Sequence, residues 1–204
     1  MSLSKSIQEI MTPDQVIELL KKGNERFVND ELRNIKTQHI LEITKEEQYP
    51  LAAILACMDS RVPTERIFDK TIGELFVFRT PGNVVNRDTV GGMEYAAKVS
   101  GTKLFVVMGH TGCGAVNATI KGIEFGNFTH SLDKIKPAIK EANNFVPKSV
   151  ENIEYVNAVI DNNTINSINA IRQQSSILRD MEEKGDIKIV AAMYDISTGI
   201  VTFH

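Results

Sequence analysis

The chain contains no tryptophan and only two cysteines in 204 residues. Two thiols make at most one disulfide, so a disulfide scaffold is excluded and metal ligation or catalysis becomes the competing use of Cys57 and Cys113. Long apolar runs are also missing, and none approaches the roughly 20 residues that a transmembrane helix needs. Neither sign of charge dominates: 23 lysines and arginines face 26 acidic residues, a net charge of -3. No basic field therefore recruits nucleic acid or an anionic membrane. The first segment, MSLSKSIQEIM, has neither a cationic start with a long apolar core nor a small-residue cleavage site, which predicts a cytoplasmic protein. Repeats, low-complexity tracts and a linker that would split the chain are absent too. What is present, 42% apolar and 24% charged residues, suits one globular domain over 1–204.

Thr12-Pro13-Asp14-Gln15 predicts a helix start, with threonine as cap, proline in the first turn and Gln15 completing a capping box. Val16, Leu19, Leu20, Gly23 and Phe27 then share one helical face. Residues 30–48 are polar without a strong period, so 1–48 reads as an N-terminal helical arm, suited to docking on another subunit. From residue 49 onward short apolar runs alternate with helical stretches. Leu51–Ala56, Leu75–Phe78, Leu104–Met108 and Ile187–Met193 read as strands buried on both faces. Candidate helices lie at Pro63–Phe68, Gly91–Val99 and Ala115–Gly122, and a longer helical region punctuated by Pro137 and Pro147 follows. Strand alternating with helix predicts an α/β fold, a mostly parallel sheet of four strands flanked by helices. The turn Asp195–Gly199 before Ile200–Phe203 adds an antiparallel edge strand.

Two runs stand at the predicted C-terminal ends of buried strands, where open α/β sheets gather ligands. They are Cys57-Met58-Asp59-Ser60-Arg61 and Gly109-His110-Thr111-Gly112-Cys113. Catalytic zinc takes three protein ligands and keeps one open position. Cys57, His110 and Cys113 supply three, and no further cysteine remains to close the shell. Buried cysteine as a small hydrophobe is the plain alternative for each thiol alone. The short His-x-x-Cys spacing and the flanking glycines at 109, 112 and 114 favour the metal. Asp59 and Arg61 are close enough to pair, so that a guanidinium fork orients a carboxylate beside the ion. That carboxylate could instead bind the metal, or the pair could serve only to stiffen the loop. His39, His130 and His204 have no partner pattern.

These residues resemble the β-class carbonic anhydrases. Cys57–Val62 and Gly109–Gly114 resemble that family's two zinc motifs, and Gly73–Asn83 and Gly92–Ala96 its intervening blocks. Leu20–Phe27 resembles its N-terminal arm and Tyr194–Gly199 its last turn, while residues 123–185 carry the likeness least. The resemblance implies one zinc ion per chain on Cys57, His110 and Cys113, with Asp59 and Arg61 as the catalytic dyad and Asp59 as a fourth ligand in a resting state. It implies reversible hydration of carbon dioxide to bicarbonate by zinc-bound hydroxide. It places Gln48, in the subgroup that uses a glutamine, against substrate, and Val62, Phe76 and Tyr95 around the pocket. In the family the two aromatics are contributed across a dimer interface, which implies a homodimer or a dimer of dimers. The bicarbonate-regulated subgroup has a tryptophan where this chain has Ile54, so Arg79 alone does not make that regulatory site.

Two thiolates donate more negative charge than neutral imidazoles, so activity is expected to rise through the slightly alkaline range. Two rivals use the same site: hydrolysis of carbon disulfide or carbonyl sulfide, and a non-catalytic zinc protein with Asp59 closing the shell. A redox pair is a third reading, weakened because the cysteines form no Cys-x-x-Cys motif.

Overall fold

The computed structural model describes residues 4–204, so residues 1–3 of the N-terminal segment lie outside it. Five strands form one sheet: β1 (Ala52–Cys57), β2 (Leu75–Thr80), β3 (Leu104–His110), β4 (Lys188–Tyr194) and β5 (Val201–Phe203). Their spatial order is β2-β1-β3-β4-β5. The first four are parallel and β5 runs antiparallel to β4. This is the expected α/β architecture, mostly parallel with one antiparallel edge. The chain leaves β1 to form β2 on one side and then returns to form β3 on the other. The crevice beyond the ends of β1 and β3 is therefore a topological switch point, the place where such sheets bind ligands. β1 and β3 are buried along their whole lengths, which explains their unbroken apolar runs.

Around the sheet lie α1 (Lys5–Ile10), α2 (Pro13–Val28), α3 (Thr37–Thr44), α4 (Thr64–Ile67), α5 (Arg87–Lys98), α6 (Gly114–Ile120), α7 (Gly126–Glu141), α8 (Ile153–Gln174) and α9 (Ser176–Glu183). Alternating β1 residues divide between two layers. Ala52, Ile54 and Ala56 face Val16, Ile17 and Leu20 of α2. Ala53 and Leu55 face Met93 of α5 and Ile171 of α8. A third apolar cluster joins Cys57 and Cys113 to α6, α7 and α8.

The predicted capping box closes α2: Thr12 Oγ1 accepts from the Gln15 amide at 3.3 Å, and Gln15 Oε1 accepts from the Thr12 amide at 2.9 Å. The buried face of α2 differs from the expected one by one residue, since Ile17 is buried and Leu19 is partly exposed. Gly23 sets this orientation. A Cβ there would lie 1.9 Å from the Phe68 carbonyl oxygen, so the helix can approach only with glycine at the contact. Residues 1–48 are consequently more than an arm, because α2 is itself a layer over the sheet. Asn24 ties it to the closing hairpin, donating to Gly199 O at 2.8 Å and accepting from the Val201 amide at 2.8 Å.

Three further boundaries depart from expectation. Helix α5 begins at Arg87 rather than Gly91, because Asn86 caps it by accepting from the Thr89 amide at 2.8 Å. Helix α3 lies within the stretch that showed no strong period. Pro137 lies inside α7 instead of ending it. Its ring removes a hydrogen bond only to the carbonyl of Asp133, an exposed residue that water can satisfy.

Candidate metal centre

Cys57 is the last residue of β1 and His110 the last of β3, so the ladder itself sets the two ligands at the switch point. The strands thus reach further than predicted, β1 by one residue to Cys57 and β3 by two to His110, positions read from sequence as loop. Cys113 caps the start of α6 after Gly112, whose φ of +66° makes the tight reversal. The ligand atoms of the three residues lie within 4.8 Å of one another, and all three residues are buried. The two sulfurs are 3.9 Å apart. Tetrahedral zinc with Zn–S bonds of about 2.3 Å would hold two thiolates about 3.8 Å apart.

His110 is oriented for ligation. Its Nδ1 stands 3.0 Å from the Thr111 carbonyl and donates to it, which leaves the Nε2 lone pair free. Nε2 is buried and has no hydrogen-bond partner among the described residues. A buried polar atom without a partner is costly unless a ligand satisfies it. The donor set therefore fits a divalent, sulfur-tolerant ion. Without one, the thiols share a proton. Cys57 is pulled well below the usual thiol range, chiefly by the hydrogen bond from Cys113 and also by that from the Gly82 amide. Cys113 is pushed up by that same pairing and by burial. A doubly charged ion would favour both thiolates.

Asp59 stands beside this cluster and is not one of its members. Its carboxylate takes three donors from Arg61: the amide at 2.9 Å, Nε at 3.0 Å and Nη2 at 2.8 Å. This fork, more than any other influence, holds the Asp59 carboxyl at about 2. Arg61 also reaches the Gly112 carbonyl at 3.2 Å, joining the two motifs.

Two contributors were not visible from sequence patterns. Arg79 donates to the Cys57 carbonyl at 3.1 Å and to the Asp59 carbonyl, clamping the backbone that carries both side chains. The Gly82 amide donates to Cys57 Sγ at 3.3 Å. The Pro81-Gly82 pair was a legible turn signal, but its aim toward a sulfur was not.

The other predicted residues stand elsewhere. Val62 is fully buried in the α2-side core. Phe76 pairs in register with Ala53, four positions before Cys57, and so lies about 13 Å along the sheet from it. Its ring meets Tyr95 edge to face at 6.2 Å. Gln48 is exposed ahead of β1, at the opposite end of that strand from Cys57. Within one chain, Gln48, Phe76 and Tyr95 are not gathered at the metal centre.

A parallel α/β sheet with a Cys-His-Cys cluster at its switch point defines a protein with three residues positioned to bind a metal ion. A family profile described as carbonic anhydrase matches residues 52–201. Carbonic anhydrase 2 of Mycobacterium tuberculosis is 30% identical over 191 residues, spanning 88% of this chain and 87% of its own length. The chain belongs to the carbonic anhydrase family, lyases whose function is the hydration of carbon dioxide. Its fold is that of the β class. The β-carbonic anhydrase CafA of Aspergillus fumigatus superimposes with a TM-score of 0.71 at 24% identity, over 82% of this chain and 81% of that one. One of two tetrameric β-carbonic anhydrases of Sordaria macrospora gives 0.72 at 22% identity, over 82% and 86%.

Proposed function

We propose that Cys57, His110 and Cys113 hold one zinc ion per chain, and that Asp59 and Arg61 serve it in interconverting carbon dioxide and bicarbonate. Two thiolates and an imidazole suit zinc better than the harder divalent ions. When bound, zinc supplies a nucleophile at neutral pH by lowering the pKa of water from 15.7 toward about 7, as is established for carbonic anhydrase itself.

The observation that carries this reading is the Asp59 carboxylate, fixed by the Arg61 fork beside the three ligands instead of among them. Held there and ionised, Asp59 would accept a hydrogen bond from a group at the open position and so orient that group toward substrate. The Arg61 fork would keep Asp59 from swinging onto the metal. Carbon dioxide is uncharged, so its binding calls for an apolar wall with a donor for one oxygen. Val62 lies under the loop, and Gln48, Phe76 and Tyr95 supply the rest from a second copy of the chain.

A homodimer is supported by the sheet edge. β2, with the sequence Leu-Phe-Val-Phe-Arg-Thr, is an outer strand that carries neither the lysine nor the proline that usually guards an edge. The cytoplasm, where thiolates stay reduced, is the proposed setting.

The test is Asp59→Ala. Zinc should remain at one per chain by elemental analysis, while carbon dioxide hydration in a stopped-flow assay falls at least about 100-fold. Near-normal hydration in the variant would sink the dyad. A zinc-loaded parent that hydrates nothing above about pH 8 would favour a non-catalytic homologue.

A further inference from the structure

On the α7 and α8 side of the molecule, away from Asp59 and Arg61, those two helices and the segment 84–87 enclose an open cavity of about 500 Å³. Its wall carries three basic side chains, Arg87, His130 and Lys134, and no carboxylate. The chain as a whole has more acidic than basic residues, so this is a local reversal of sign. His130 and Lys134 are one helical turn apart on α7, and Asn166 and Gln173 are two turns apart on α8, so each helix turns one face to the cavity. Arg87 and His130 have no ion-pair partner among the described residues. Lys134 donates to the Val85 carbonyl at 2.8 Å, which fixes its ammonium at the wall and leaves two N–H groups free.

The floor is rigid. Ser167, itself 5% exposed, donates to the Asn83 carbonyl at 3.0 Å, and buried Asn163 donates to the Gly82 carbonyl at 2.7 Å. Helix α5 starts at Arg87, so its positive end adds to the field of the three side chains. A volume of this size lies in the usual range for small-molecule sites and exceeds what a lone oxyanion fills. Asn166 Nδ2 donates to the Glu141 carboxylate at 2.8 Å, just outside the lining, which leaves its carbonyl oxygen and the Gln173 amide for the remainder of a ligand.

We propose that this cavity binds a phosphate-bearing small molecule, with the phosphate on Arg87, His130 and Lys134 and the attached group on the amides of α8. Its lining includes none of the three ligands and neither Asp59 nor Arg61, although the floor carbonyl of Gly82 belongs to the turn whose amide donates to Cys57 Sγ.

Isothermal titration of the zinc-loaded protein with adenosine monophosphate at low ionic strength tests it, with inorganic phosphate as competitor and adenosine as control. The expected result is saturable binding of one nucleotide per chain, displaced by phosphate, with no binding of adenosine. Arg87→Gln and Lys134→Gln should each weaken it about tenfold or more, as loss of a charge-assisted hydrogen bond does. Arg87 is exposed at a helix start, so its variant should fold even if the Lys134 variant does not, and its carbon dioxide hydration should equal the parent's. Absence of saturable nucleotide and phosphate binding would overturn the proposal. So would equal binding of adenosine, displacement by bicarbonate but not by phosphate, or affinities unchanged by both substitutions.

Discussion

Cys113 contributes one of only two thiols in the chain, so its replacement has no substitute nearby. Cys113→Ser should lower zinc content from about one per chain to near zero after dialysis against a mild chelator, because second and third ligands alone hold zinc weakly. Elemental analysis checks this, and full zinc retention would displace Cys113 from the ligand set. His110 is oriented by the Thr111 carbonyl, and Thr111 is held in turn by the closing hairpin: its amide donates to the Tyr194 carbonyl at 3.0 Å, and its hydroxyl accepts from the Ile196 amide at 3.1 Å. In that hairpin Asp195 accepts from the Ser197 hydroxyl and amide, and these bonds hold its carboxyl below the usual range. A carboxyl lowered in the folded state stabilises the fold above its ordinary pKa, and that stability is lost as pH falls through the lowered value. Urea midpoints of the metal-free protein should therefore fall between pH 5 and acid pH less steeply in Asp195→Asn than in the parent. Parallel slopes would show that the turn does not discriminate the charged form.

At the scale of elements, Gly23 lets α2 approach the Phe68 backbone so closely that an added Cβ would lie 1.9 Å from its carbonyl oxygen. Gly23→Ala should destabilise by about 3 kcal/mol, since the opposing atom is a carbonyl that cannot rotate aside as a side chain would. Chemical denaturation measures it; a cost below about 1 kcal/mol, the ordinary range for a tolerated swap, would mean that the helix can shift. The helix start at Thr12, the strand runs and the final turn were legible because each depends on residues within a few positions of one another. Leu19 and Ile17 exchanged places because both fit a 3.6-residue stripe, and the position of Phe68 decides which stripe faces inward. Pro137 was misleading for a similar reason. Proline strains a helix through its ring and its missing N–H, and whether water can satisfy the freed carbonyl is a tertiary property.

For the whole molecule, the separation of Gln48, Phe76 and Tyr95 from Cys57 within one chain makes assembly the central question. If a partner supplies these residues, two inactive variants should complement each other. In a mixed dimer of Asp59→Ala and Gln48→Ala subunits, one site has both substitutions and the other has neither. Random reassociation should then restore about a quarter of parental hydration, because half the dimers carry one intact site. Activity no greater than the average of the two variants alone would place Gln48 with its own chain's metal centre, or outside catalysis. The same preparation in a sedimentation experiment reports whether the chain assembles as a dimer or a larger oligomer.

The sequence by itself determined which residues are chemically able to make the centre: two thiols, a histidine three residues before one of them, and an Asp-x-Arg pair two residues after the other. It also determined the strand-helix alternation that makes a parallel sheet. The tertiary structure decided that β1 and β3 are neighbours, because parallel pairing across the reversal in strand order is what brings residue 57 to residue 110. It decided as well that the clamp of Arg79, the reach of Arg61 to the Gly112 carbonyl and the Gly82 amide converge on one loop. Hydrogen bonds of that kind join residues 20 or more apart, and local pattern contains no information about their distance or direction, whereas the Arg61 fork on Asp59 spans two residues and was legible from spacing.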